Sequence, residues 1–339
     1  MTKGGNSQKN KNGMGTELNK QKTIVELPIV IPLITEDDLL HNEMIGYTLY
    51  LSAGILLNSQ TDGKTEDEMQ IIRVYGIINK ILSCYKSINQ ASNFIKRRPT
   101  ITELDNNEEM TVIDYYNYHY DVIVHKLSTI RDLSFKLINK VYNLQLKDRN
   151  CNWDNIWKKR NLISVPGILD IQTLLYNFME EIQRDRNESS HNGTIDIRTF
   201  KDIDGFVQMS QWKRMGKLPE EVIGPDPMAK GTYYDYLLKK KKNELLAKIS
   251  NFKTASLFCI HVLTCCMANK FISDIPRDML EKYSEFIQEA NHGIDAYKRK
   301  INKLDQLFPY LIRNDGAIER IKNQKANEIF RFMVSFHNV

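Results

Sequence analysis

Apolar residues recur at three- and four-residue spacings along most of this chain, and that period predicts helices from residue 35 onward. Thr35-Glu36-Asp37-Asp38 reads as an N-terminal cap leading to Leu39, Leu40, Met44, Ile45 and Leu49. Thr65-Glu66-Asp67-Glu68 is a capping box ahead of Met69, Ile72, Tyr75 and Ile78. After a loop at Arg97-Arg98-Pro99, no proline or glycine interrupts the stretch from about Glu109 to Leu146, which predicts a rod about 55 Å long at about 1.5 Å per residue. Trp153 and Trp157, one turn apart, mark a short connector. Ser164-Val165-Pro166 then caps and starts a helix whose apolar series runs through Ile168, Ile171, Leu174, Leu175, Phe178 and Ile182.

The period fails between Thr194 and Lys230, where glycines, prolines and mixed charge predict an irregular lid or linker anchored by Phe206, Met209 and Trp212. It resumes from Tyr233 to about Phe271 and from Pro276 to about Leu307, predicting a long antiparallel hairpin. A last amphipathic stretch carries Ile318, Ile321, Ile329, Phe330 and Phe332. Pro28 and Pro32 keep the apolar segment before residue 35 extended. The chain therefore divides into a disordered tail (1–22), an extended arm (23–34), a helical bundle (35–193), an irregular linker or lid (194–230) and a C-terminal helical region (231–339), all within an all-α fold.

Composition narrows the chemistry only slightly. A formal net charge of +5 permits a polyanionic partner, although both signs of charge are plentiful. The five cysteines are odd in number and come with no export signal, so reduced thiols and a cytoplasmic protein are expected. Cys259, Cys265 and Cys266 sit with His261 in an apolar helical run without a CxxC spacing and read as buried thiols; no metal or cofactor is expected. Residues 1–22 lack the apolar core of a signal peptide or anchor, and the apolar run from Ala255 to Ala268 is too short to cross a bilayer.

The candidate chemistry lies in Arg186-Asn187-Glu188-Ser189-Ser190-His191, stopped by Asn192-Gly193. Arg184 also precedes His191 at short range, and Arg331 precedes His337 across an apolar filling, but only Arg186 is followed directly by an amide. A guanidinium offers a fixed fork of donors to a phosphate, an imidazole exchanges protons near neutrality, and an amide orients either. Those are the parts needed to cut RNA through its own 2′-hydroxyl. Residues five apart on a regular helix stand about 140° apart around the axis, so Arg186 and His191 share a cleft only if the last turn unwinds or two copies pair. Arg131-Asp132, set mid-rod among apolar residues, reads either as a partnered pair near a buried site or as two solvated side chains. The run Lys239 to Lys242 reads as a backbone grip for RNA or as a solvated helix face.

Arg-Asn-x-x-x-His late in a helix, preceded by a long helix with a mid-helix charged pair, resembles the HEPN superfamily of all-α ribonucleases. The likeness is closest from Thr111 to Gly193; there, His119 through Asp132 and Leu137-Ile138-Asn139-Lys140 resemble a lineage of host-defence HEPN proteins. The resemblance implies a HEPN-like bundle with an additional C-terminal helical hairpin, and a metal-independent endoribonuclease of the toxin or antiviral-defence kind. Arg186, Asn187 and His191 would be catalytic, with Arg184, Glu181, Asp185, Arg131 and Asp132 in support. It also implies RNA as partner, a homodimer with a composite site, and an antitoxin or sensor protein as regulator; a non-catalytic nucleotide-, RNA- or protein-binding module is the alternative. Where some HEPN toxins carry a tyrosine two residues after the histidine, this chain has Gly193, which argues against control by modification there.

Overall fold

The computed structural model describes residues 36–40, 42–58, 63–97, 99, 110–165, 167–192, 197, 200–217, 226–292, 294 and 295. The tail, the extended arm and the final amphipathic stretch of the sequence reading lie outside these residues. Among the described residues every regular element is a helix: α1 (Glu36–Leu40), α2 (Glu43–Asn58), α3 (Glu66–Lys96), α4 (Val112–Val141), α5 (Trp153–Lys158), α6 (Gly167–Phe178), α7 (Glu180–Asn192), α8 (Lys201–Arg214), α9 (Tyr233–Ser273) and α10 (Arg277–Lys282).

The long helices start where side chains can satisfy their first amides. The Thr65 hydroxyl accepts from the Glu68 amide at 3.2 Å and the Glu68 carboxylate accepts from the Thr65 amide at 3.0 Å. Thr111 and Asp114 make the same box at the start of α4, which is therefore 30 residues long and about 45 Å at ~1.5 Å per residue, shorter than the sequence reading. At its other end Asn143 and Gln145 adopt positive φ (45° and 57°). The Asn139 amide holds this reversal by exchanging two hydrogen bonds with the backbone of Leu146, at 2.9 and 3.1 Å. The chain then enters α5 with a fixed direction.

Pairing across the bundle is antiparallel. Gln70 reaches the Lys140 carbonyl and Phe94 stacks on His119, so α3 and α4 run in opposite directions along their whole length. On the opposite flank Ser189 meets Asp121 while Arg186 meets Ser128, which sets α7 antiparallel to α4. α9 closes the bundle: Lys242 donates to the Lys96 carbonyl, Lys253 to Asn89, and Tyr85 to Ser256, so it runs antiparallel to α3. Its 18-residue apolar window has the length and composition of a membrane span, yet 72% of that window is buried against the rest of the chain. Large apolar side chains, including Leu51 of α2, Ile88 of α3, Leu127 of α4, Leu175 of α6 and Phe252 of α9, fill one continuous core.

Three features differ from the sequence reading. The helix predicted from Ser164 to His191 breaks at Met179 into α6 and α7. Part of the segment read as irregular is a helix, α8, because Ile203, Val207 and Ser210 recur at helical spacing and bury, while Phe206 stacks on Tyr234 at 3.7 Å; Trp212 stays exposed. The returning arm of the C-terminal hairpin, α10 and residues 284–292, does not stand free. Glu68 binds Lys282 (2.7 Å) and Tyr283 (2.6 Å), Tyr47 binds Asn291 (2.7 Å), and Gly54 is seated so close to Phe286 and Tyr283 that a Cβ there would lie 2.8 and 3.0 Å from their rings.

Candidate functional site

The helix that carries the Arg186 motif is almost wholly polar, and among the described side chains of α7 only Ile182 and Ser189 are buried. It is held to α4 by polar pairs. Arg186 Nη1 donates to the Ser128 hydroxyl at 3.1 Å, Ser128 donates to Gln183 Oε1 at 3.2 Å, and Gln183 Nε2 donates to Asn187 Oδ1 at 2.9 Å. Arg186 and Asn187 are thus joined through two residues that the sequence reading had not singled out. Beside them Arg131 pairs with Asp132 at 2.9 Å, and the other Asp132 oxygen lies 3.7 Å from Arg186 Nη1. The mid-helix pair is partnered charge next to the motif, on a partly exposed patch and not at a buried site. Arg131 is only 12% exposed, whereas Arg186 keeps 36% of its side chain open, so its guanidinium is aimed yet reachable.

Other supporting residues sit elsewhere. Glu181 forms an ion pair with Lys248 of α9 at 2.6 Å, and Asp185 lies 3.9 Å from the same ammonium. Asp185 also accepts from the buried Tyr120 hydroxyl at 2.7 Å. Burial, reinforced by the Asp185 charge, pushes the Tyr120 phenol well above its ordinary range and keeps it a donor. Glu181 and Asp185 therefore clamp α7 to α9 and take no part in the Arg186 network. Arg184 is exposed.

His191 is exposed on the last turn of α7, and that turn is helical through Asn192. Unwinding, one of two ways to bring His191 beside Arg186, does not occur within these residues. On a regular helix the two stand about 140° apart around the axis and about 7.5 Å apart along it. A single copy does not bring them to one face.

Two residues before His191 the structure joins residues far apart in sequence. Ser189 donates to Asp121 at 2.5 Å, and His125 Nε2 lies 3.4 Å from both partners. These are the residue types of a nucleophilic triad, but in the wrong order. The serine proton goes to the carboxylate, one imidazole nitrogen meets both neighbours, and Ser189 is buried. The cluster is a clip between α4 and α7.

The remaining candidates have structural roles. Lys239 pairs with Asp235 one turn back on α9 at 2.7 Å, whereas Lys241 pairs with Asp202 at 3.3 Å and Lys242 donates to the Lys96 carbonyl at 2.9 Å, so two of these lysines tie α9 to α8 and α3. Burial raises the Cys259 thiol to about 12 and the Cys266 thiol to about 11, which opposes the thiolate a metal would need. No group of three or more metal-binding side chains occurs among the described residues.

Residues 74–224, from the third turn of α3 to beyond α8, match the family model described as Cthe2314-like HEPN. No curated protein and no solved structure matches the chain.

Proposed function

Residues 74–224 make this chain a member of the HEPN superfamily, and on that premise we propose that it is a metal-independent endoribonuclease acting as a toxin or antiviral-defence effector. The observation that carries the reading is the aimed guanidinium: Arg186 is held from below by Ser128 and Asp132 with a third of its surface open. A phosphodiester docking there would meet a pre-set pair of N–H donors.

In the proposed reaction the ribose 2′-hydroxyl gives up its proton to an imidazole and its oxygen attacks the adjacent phosphorus. The bond from phosphorus to the 5′-oxygen breaks, and that oxygen takes a proton from a second imidazole. The products are a 2′,3′-cyclic phosphate and a free 5′-hydroxyl. Arg186 offsets the charge that builds on the non-bridging oxygens. Asn187, tied to Gln183 and through Ser128 to Arg186, keeps the network in register. Because His191 and Arg186 occupy different sides of α7, the reading calls for a two-fold dimer in which each copy lends a histidine to a shared cleft, and this gives the reaction its base and its acid. Such an enzyme needs restraint, so a partner antitoxin or sensor belongs to the proposal.

The same separation favours a second reading, a HEPN-like module that binds nucleotide, RNA or protein without cutting. Incubating wild type, Arg186→Ala and His191→Ala with total RNA in chelator and mapping the new ends decides between them. The enzyme reading expects 2′,3′-cyclic ends from wild type alone and a dimer by light scattering. Ends that persist in His191→Ala, or full activity from a monomer, overturn it; RNA binding by all three without cleavage favours the module.

A further inference from the structure

The most unusual surface outside the motif is a file of alternating rings and cations that begins at the site itself. Arg131, paired with Asp132 beside Arg186, lies over the Tyr176 ring at 5.7 Å. Tyr176 stacks on Trp153 at 6.0 Å and 25°, Trp153 faces Trp157 at 5.5 Å, and Arg160 lies over Trp157 at 5.4 Å. Trp153 is the anchor, tilted against Phe135 in the core. Tyr176 and Trp157 face outward and are 40% and 45% exposed. The Trp153–Trp157 pair is tilted by 39° and the Trp153–Tyr176 pair lies 6.0 Å apart, so each outer ring keeps part of its surface open.

The charge around the rings is mostly positive. Between residues 147 and 160 stand Lys147, Arg149, Lys158, Lys159 and Arg160, all exposed, against only Asp148 and Asp154. Asp148 is already matched by Lys136 at 3.6 Å. The segment is rigid in direction because Asn139 fixes the chain as it leaves α4 and Asn152 caps α5. Neither core packing nor solubility explains two large rings left half-open among five exposed cations.

We infer that this file is a platform for single-stranded RNA, which stacks bases on Tyr176 and Trp157, binds the backbone through the 147–160 cations, and leads the strand to Arg186. Stacked bases within a duplex cannot offer their faces to a side ring, so the platform selects single strands. Arg160, which also donates to the Trp157 carbonyl at 3.2 Å, lies at the far end of the file, where an incoming phosphate would be held. The inference rests on the ribonuclease reading for its direction, since only that reading makes Arg186 the destination. Binding by the platform is nevertheless measurable without cleavage.

The test uses the full chain and a dye-labelled 2′-O-methyl oligouridine of about 12 nucleotides, whose blocked 2′-oxygen cannot attack. Binding is followed by anisotropy and by quenching of tryptophan fluorescence; two of the chain's three tryptophans lie in the file. Trp157→Ala and Tyr176→Ala, checked for an unchanged helical signal and melting temperature, are expected to weaken binding by about 5- to 100-fold each, and Trp157→Phe by no more than about threefold. Raising salt is expected to weaken wild-type binding steeply and Arg160→Glu binding less steeply. The same strand in a duplex is expected to bind more weakly and to be indifferent to Trp157→Ala. Wild type that neither binds the oligonucleotide nor shows quenching, or folded ring variants that bind as wild type does, would overturn the platform. His191→Ala that still cuts RNA while the ring dependence stands would overturn the ribonuclease reading alone; loss of cutting with no ring dependence would do the reverse.

Discussion

α4 is held on its two flanks by different means. Toward α3 it meets a helix that buries Ile71, Val74, Ile78, Ile81, Tyr85, Ile88 and Ile95, a continuous apolar stripe. Toward α6 and α7 it meets Gln172 through Ser134, Gln183 and Arg186 through Ser128, and Ser189 through Asp121. Apolar contact is strong and indifferent to small rotations, whereas each hydrogen bond fixes an atom in a direction and contributes little net stability. The apolar seam therefore keeps the molecule folded and the polar seam sets the angle of a few side chains, Arg186 among them.

The sharpest break in that comparison is Ile88→Ala, which empties a fully buried position of the apolar seam. It is expected to cost about 2–5 kcal/mol in denaturant unfolding. Glu68→Gln comes next, because it weakens the tether between α3 and the returning arm and is expected to cost about 1–3 kcal/mol at neutral pH. Hydrogen bonds from Lys282 and then Tyr283 hold the Glu68 carboxyl down at about 2. The folded state thus binds this proton less tightly than the unfolded chain, whose carboxyl titrates near 4.5. The stabilisation is complete above about pH 4.5 and is lost as pH falls toward about 2, so the melting temperatures of wild type and Glu68→Gln should converge in that window.

Ser128→Ala tests the other seam and is expected to cost only about 1 kcal/mol in stability. If Ser128 aims Arg186, RNA cleavage should fall much further than that figure suggests, with the loss in kcat exceeding any change in KM. A fall in melting temperature with unchanged turnover would make the polar seam merely structural. The smallest effect belongs to Asp132→Asn, whose ion pairs are 40% exposed on the carboxylate side. Its effect on stability should stay within about 1 kcal/mol and shrink further in salt.

Much of the framework was legible because helix periodicity and caps are local. Thr65-Glu66-Asp67-Glu68 announces α3, and the unbroken stretch after Glu109 announces α4. The Arg186 motif was legible for the same reason, its residues being neighbours in sequence. Its supports were not: Ser128 and Gln183 lie 55 residues apart, and their meeting depends on the register of two antiparallel helices, which no single-helix pattern encodes. α8 was missed because Gly205 and flanking charges masked a short apolar repeat of Ile203 and Val207 that becomes visible only against Tyr234. Trp153 and Trp157 were noted as a connector, but their alignment with Tyr176 and Arg131 requires the fold.

The 41-residue α9 packs against helices made long before it, including Tyr85, which donates to Ser256 across 171 residues of sequence. During synthesis α3, α4 and α6 emerge before that rod, and α7 at first has no Lys248 to hold Glu181. Until residue 273 has been made, a growing chain therefore lacks the rod that closes its core.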